Sequence, residues 1–141
     1  NNRGEEETPV MVHRAILGSL ERFMVILLER TNGWVPFWLA PEQVRVLTIN
    51  DSVADYVEGI TTILKDTLLM EPLKYNELRY SVDDRNESLG KKIKEATELK
   101  IPVQLIVGPK DKEAGQVSVR TKDGESKIKL EELKDFLLNL K

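Results

Sequence analysis

The sequence predicts an α/β fold, a mixed β-sheet flanked by helices and preceded by a separate strand–helix piece. Three observations carry this. From residue 44 onward, short apolar runs alternate with longer segments whose apolar residues recur every three or four positions, which is the pattern of strands alternating with helices. One run, VQLIV at 103–107, is almost continuously apolar and fits a strand buried on both faces of a sheet. Near the end of the chain, Asp123-Gly124 is a tight-turn signal between two short alternating runs, so an antiparallel hairpin joins the sheet.

The elements follow in order. Val10-Met11-Val12, after Pro9, reads as a short buried strand. Ala15 to Arg30 reads as a helix with Ile16, Leu20, Phe23 and Leu27 on one stripe and Leu17, Met24 and Leu28 widening it. A stripe that broad predicts burial on more than one side, and Gly33 stops the helix. Trp34 to Pro41, with two tryptophans and two prolines, predicts an ordered linker packed against something. Val44 to Ile49 is a strand. Asn50-Asp51-Ser52 supplies capping oxygens for a helix running to about Leu69, with Val53, Val57, Ile60, Leu64 and Leu68 at helical spacing. Met70 to Glu77 is a loop containing Pro72, and Arg79 to Val82 a strand. Ser88 to about Leu99 is a helix with Leu89, Ile93 and Ala96 inward. After the 103–107 strand, Gln116 to Arg120 alternates like a half-exposed strand, and Ser126 to Ile128 pairs back on it. The last helix spans about Leu130 to Leu140, with Leu133, Phe136, Leu137 and Leu140 on its core face.

Composition bounds the function. Hydrophobic residues are 40% and charged residues 32% of 141, a balance that supports a packed core and argues against disorder. The chain has no cysteine, which excludes disulfide frameworks, thiolate zinc sites and cysteine nucleophiles. No apolar run approaches the roughly 18 residues of a membrane helix, and no membrane partner is expected. The N-terminal NNRGEEET is acidic and polar and does not read as a targeting signal. Net charge is −3, so RNA binding would have to use a local patch. Such a patch is available after residue 83, where Lys91, Lys92 and Lys94, Lys110 and Lys112, and Arg120 and Lys122 cluster. They read either as a solvated face or as a phosphate footprint. Residues 1–33 are too few to bury a core alone, which predicts that they end a larger domain, with a boundary in the 34–41 segment.

Two places hold residues with chemical potential. His13 is the one histidine; a lone histidine is more often structural, and a zinc site would need partners. Gly18-Ser19-Leu20-Glu21-Arg22-Phe23 puts small residues at a helix start and an arginine one turn later, able to pair with phosphate or stack on a base. By pattern alone that is an ordinary helix start.

Pro9 to Phe23 (PVMVHRAILGSLERF) with Pro36 to Pro41 (PFWLAP) resembles the end of a class II aminoacyl-tRNA synthetase core, specifically that of the threonyl-tRNA synthetases. Asp84 to Gly90 (DRNESLG) and Val119-Arg120-Thr121 resemble the C-terminal anticodon-binding domain of the same enzymes. The resemblance implies residues 1–40 as the end of a catalytic domain, carrying motif 3, and 41–141 as an anticodon-binding domain. It implies that Gly18, Ser19 and Arg22 contribute to binding ATP with Mg2+, Arg22 as the catalytic arginine at the triphosphate, and that His13 is a zinc ligand. In this family Zn2+ holds the amino and hydroxyl groups of threonine, which valine cannot match. The whole enzyme would activate threonine with ATP and transfer it to tRNA(Thr); this stretch alone would bind RNA. For the anticodon loop the matching positions are Asn86, Lys94, Asp111 and Arg120. The family often has arginine at the place of Lys94 and glutamate at that of Asp111; lysine lacks the planar fork, and aspartate is one methylene shorter. Asp111 reads as lying in a loop. The resemblance also implies the rest of the catalytic domain as a partner and a homodimer for the full-length enzyme. The long segment from Leu69 to Tyr80 is similar to an insertion in fungal mitochondrial relatives, which implies the mitochondrial matrix, with the cytoplasm as the alternative. The alternative function is a non-catalytic RNA-binding or accessory module derived from such a synthetase.

Overall fold

The computed structural model describes residues 2–67 and 77–140. Its centre is a five-stranded mixed sheet with order β2-β1-β3-β4-β5. The strands are β1 (Val44–Thr48), β2 (Tyr80–Asp83), β3 (Val103–Val107), β4 (Gln116–Thr121) and β5 (Gly124–Lys129). β1 runs parallel to β2 and β3; β4 is antiparallel to β3 and to β5. The helices are α1 (Leu20–Thr31), α2 (Ala54–Lys65), α3 (Leu89–Glu98), α4 (Pro109–Ala114) and α5 (Leu133–Leu138). The mixed sheet flanked by helices agrees with the sequence expectation.

Side-chain alternation sorts the sheet into two faces. Val44, Val46, Val103, Leu105, Val107, Val117 and Val119 join Val57, Ile60 and Leu64 of α2 and Leu133 and Leu137 of α5 in one core. The opposite face carries Arg45, Leu47, Gln104, Ile106, Ser118 and Arg120, and α3 lies over it, Gln104 donating to the Thr97 hydroxyl at 3.1 Å. The crossover from β1 to β2 uses α2 on one face, and that from β2 past β1 to β3 uses α3 on the other. Right-handed crossovers in opposite directions require this.

The 34–41 segment packs as expected. Phe37–Leu39 forms a 3-10 turn with Phe37 buried. The Arg79 guanidinium donates to the carbonyls of Trp38 and Ala40 at 2.8 and 2.9 Å, and the Gln43 amide donates to the Phe37 carbonyl at 3.0 Å.

Several expectations need correction. Val10-Met11-Val12 is not a buried strand: these residues have no regular structure and are 85–94% exposed. No described strand lies beside them to accept their backbone groups. The first helix starts at Leu20, not Ala15, because Gly18 takes φ +67°, outside the right-handed helical region. Ser19 then caps it, its hydroxyl accepting the Arg22 N–H. No residue of α1 is buried. The final helix is shorter than expected, a 3-10 turn at Leu130–Glu132 leading into α5. The second helix ends at Lys65, with Asp66 as its C-cap, and not near Leu69. Leu68, the Met70–Glu77 loop except Glu77, and most of the 69–80 segment lie outside the described residues. Among the described residues no helix is long and apolar enough to cross a membrane.

Candidate nucleic-acid interface

Of the side chains expected to touch RNA, Arg120 lies on the α3 face of the sheet, Asp111 reaches that face through Ser118, and Asn86 and Lys94 lie on the loop before α3 and on α3 itself. Arg120 is directly opposite Gln104 in the β3–β4 register and shares its face. Its guanidinium is partly exposed and lies 3.9 Å from Glu125 on β5, a loose pairing. Two residues back along β4, on the same face, Ser118 donates to Asp111 at 3.2 Å, and Lys127, opposite Ser118, approaches the same carboxylate oxygen at 3.7 Å. Two polar groups, Asp111–Ser118–Lys127 and Arg120–Glu125, therefore lie along this face of the β4–β5 hairpin as a strip.

Asp111 is not in a loop, as the sequence suggested. It is the third residue of α4, buried, with its other oxygen accepting the Gly108 N–H at 3.1 Å. The missed helix had a legible signature: Pro109 at its first position, Asp111 two residues on and Gly115 in left-handed geometry after its end. Asp111 therefore holds a cap and a strand together while one edge of its carboxylate faces Lys127.

Asn86 sits in the 84–88 loop between β2 and α3, exposed, two residues before the helix cap Ser88. Around it the loop is fastened. Arg85 donates to Asp83 at 2.7 Å and to Glu95 at 2.6 Å, and Lys91 bonds Glu87 at 2.7 Å. Lys94 projects from α3, its side chain 76% exposed, near Glu98 at 3.7 Å.

The lysine clusters divide. Lys91, Lys94 and Lys112 are exposed or partly exposed and each faces a carboxylate. Lys92 is 1% exposed and bonded to strand-end oxygens, so it is removed from any phosphate footprint. Its spacing gave a signal that went unread: Leu89, Lys92, Ile93 and Ala96 fall on one helical stripe.

Electrostatics tie the β2 edge down. Hydrogen bonds from Arg85 hold the Asp83 carboxyl below its ordinary value. Burial pushes the Glu42 carboxyl up, but hydrogen bonds from Arg45 and Ser81 outweigh it and bring the group below its ordinary value. A depressed folded-state pKa adds stability above the ordinary carboxylate range and loses it as pH falls through the folded value. Thermal unfolding midpoints should therefore stay level from neutral pH to about pH 5 and drop below about pH 4. Asp83→Asn should make that acid drop shallower, and an equally steep drop in the variant would contradict the assignment.

In the first segment, Gly18, Ser19 and Arg22 stand together at the start of α1, and His13 lies in the exposed stretch before it. Arg22 has its backbone N–H on Ser19, and Ser19 donates to Glu21 at 2.6 Å. Among the described residues no three histidine or carboxylate side chains gather as a metal site. His13 alone does not make a zinc site in this chain.

A family model described as an anticodon binding domain matches residues 43–140. The chain belongs to the anticodon-binding domain family. It is 46% identical to the threonine–tRNA ligase of Clostridium botulinum over 138 residues, covering 96% of this chain and 20% of that protein. It is likewise 46% identical to the threonine–tRNA ligase of Psychrobacter cryohalolentis over 126 residues, 89% of this chain and 18% of the other. The chain thus spans about a fifth of the length of these curated relatives. Among solved structures, the RNA-binding domain of threonyl-tRNA synthetase from Cryptosporidium parvum is similar, with TM-score 0.75 and 29% identity, covering 91% of this chain and 30% of that one. Prolyl-tRNA synthetase from the same organism is similar at TM-score 0.61 and 25% identity, covering 73% of this chain and 22% of the other. As a member of the anticodon-binding family, this chain carries its strip of arginine, aspartate and lysine at the β4–β5 side of the sheet, with the Asn86 loop at the entry to α3.

Proposed function

We propose that this chain is the anticodon-reading part of a threonyl-tRNA synthetase, joined at residues 34–41 to the closing segment of its catalytic domain. The observation that carries the reading is the strip itself. In an anticodon-binding domain, Arg120 lies on the sheet face on which α3 packs, Asp111 of α4 joins that face through Ser118, and α3 bears Lys94 and is entered through Asn86. Unstacked loop bases are read by such groups: an amide and a guanidinium can each bond two edge atoms of a base, and a carboxylate accepts from an amino or imino group. The 46% identity to threonine–tRNA ligases over 138 residues supports the choice of amino acid.

In the longer enzyme, Arg22 would meet the triphosphate of ATP, accompanied by Mg2+, beside the close backbone approach that Gly18 and Ser19 allow. Its fixed positive charge would stabilise the α-phosphate as the threonine carboxylate attacks. His13 would be one of several zinc ligands, the others lying outside this chain. The rest of the catalytic domain would cover the exposed apolar residues of α1 and of the stretch before it, such as Val10, Ile16 and Leu20. The full enzyme would work as a homodimer, in the mitochondrial matrix or, alternatively, in the cytoplasm.

The test is binding of a threonine-tRNA anticodon stem-loop to the chain with and without Arg120→Ala. The expected result is a loss of about 1–3 kcal/mol with relaxed preference at one anticodon base. A loss equal for every anticodon would make Arg120 a phosphate contact, and no loss would remove it from the interface.

A further inference from the structure

We propose that Lys92 is a positioning residue for anticodon reading: its buried ammonium fastens the ends of β1 and β2 and so fixes the loop that presents Asn86. The inference rests on the reading of Asn86 as a base contact.

Lysine is among the side chains least often buried, yet Lys92 is 1% exposed. An ammonium has three donors and no acceptor, and here it meets three oxygens. Nζ lies 2.9 Å from the Thr48 carbonyl, 3.1 Å from the Asp83 carbonyl and 3.4 Å from the Thr48 hydroxyl. The Thr48 hydroxyl in turn donates to the Asp83 carbonyl at 3.2 Å.

Thr48 is the last residue of β1 and Asp83 the last of β2. Beyond them the two chains part, one to α2 on the core face and the other to α3 on the opposite face. The strand ends diverge at this point, and the Lys92 ammonium, reaching in from α3, bonds both. An apolar side chain could fill the same volume but would offer these oxygens no donor, and buried acceptors left unpaired are costly.

The consequence falls on the 84–88 loop. Its first end is pinned through the Asp83 carbonyl by Lys92, and its second through Ser88, whose hydroxyl accepts the Lys91 N–H at 3.4 Å. Between these anchors Asn86 is exposed and makes no hydrogen bond among the described residues. A side chain carried on a loop already held at both ends gives up less conformational freedom on binding than one on a free loop. Lys92 thereby acts on RNA without touching it.

The experiment uses the whole chain, a threonine-tRNA anticodon stem-loop and stem-loops changed singly at each anticodon base. The variants are Lys92→Met, Thr48→Val, Asn86→Ala and the Asn86→Ala double with each clamp variant. Thr48→Val removes only the hydroxyl from the clamp, so it carries the test should Lys92→Met fail to fold. Amide hydrogen exchange across 84–88 is read in the free protein. The expected result is faster exchange in that loop and a loss of discrimination, on the order of tenfold, at the same base that Asn86→Ala affects. In the double variants the second change should add little. Unchanged exchange across 84–88 in the folded clamp variants would overturn the proposal. So would an Asn86→Ala effect that the clamp variants do not share, or effects that simply add. If Asn86→Ala relaxes preference at no base, the reading of Asn86 itself falls, and the inference with it.

Discussion

Leu105→Ala is expected to cost the fold about 3–5 kcal/mol, read as a lower urea midpoint with an unchanged slope. Leu105 is fully buried in β3, the middle strand of the sheet, with Val46 on β1 and Val119 on β4 as its register partners. All three belong to the core that α2 and α5 close. Neighbours held on both sides by ladder hydrogen bonds cannot collapse far into the space a leucine leaves, which places the cost toward the upper part of the usual range. Leu99→Ala is the contrast. Leu99 ends α3 with 65% exposure, and its loss should change stability by less than about 0.5 kcal/mol. Near-equal effects at the two sites would mean that the sheet core is not where the stability resides.

How much of this was legible in the sequence depended on where each element finds its partners. β3 was read to the residue because its nearly continuous apolar run follows directly on Pro102. The β4–β5 hairpin was read from Asp123-Gly124 for the same local reason. Val10-Met11-Val12 was misread because an apolar run states only that burial is wanted, and among the described residues nothing supplies it. Gly18 shifted the start of α1 through its positive φ, a backbone state that periodicity does not report. The binding face was harder still. Arg120 and Asn86 were nominated by resemblance, but the face that Arg120 occupies depends on the Gln104–Arg120 register and on the bond from Gln104 to Thr97, and the place of Asn86 depends on the turn from β2 into α3. Those contacts join residues far apart in the chain. Lys92 shows the limit most clearly: three lysines within four residues look alike as charges, and only packing separates the buried one from its exposed neighbours.

Arg22→Ala in the full-length enzyme is expected to reduce ATP–pyrophosphate exchange by at least about a hundredfold, the scale of losing one charge contact made in the transition state. The fold should not notice. The Arg22 side chain makes no hydrogen bond or ion pair among the described residues, and the capping bond to Ser19 uses its backbone N–H, which alanine retains. Stem-loop binding should also be unchanged, because the Arg22 side chain bonds none of Asn86, Lys94, Asp111 and Arg120 among the described residues. Arg22→Lys separates two roles for the charge. A guanidinium can bond two phosphate oxygens at once, whereas an ammonium acts as a point charge. Partial exchange in the lysine variant would mean that charge alone does part of the work, and exchange as low as in the alanine variant would mean that the fork is required. Wild-type exchange in Arg22→Ala would defeat the assignment of this segment to the ATP site while leaving the anticodon-binding family membership of residues 43–140 intact.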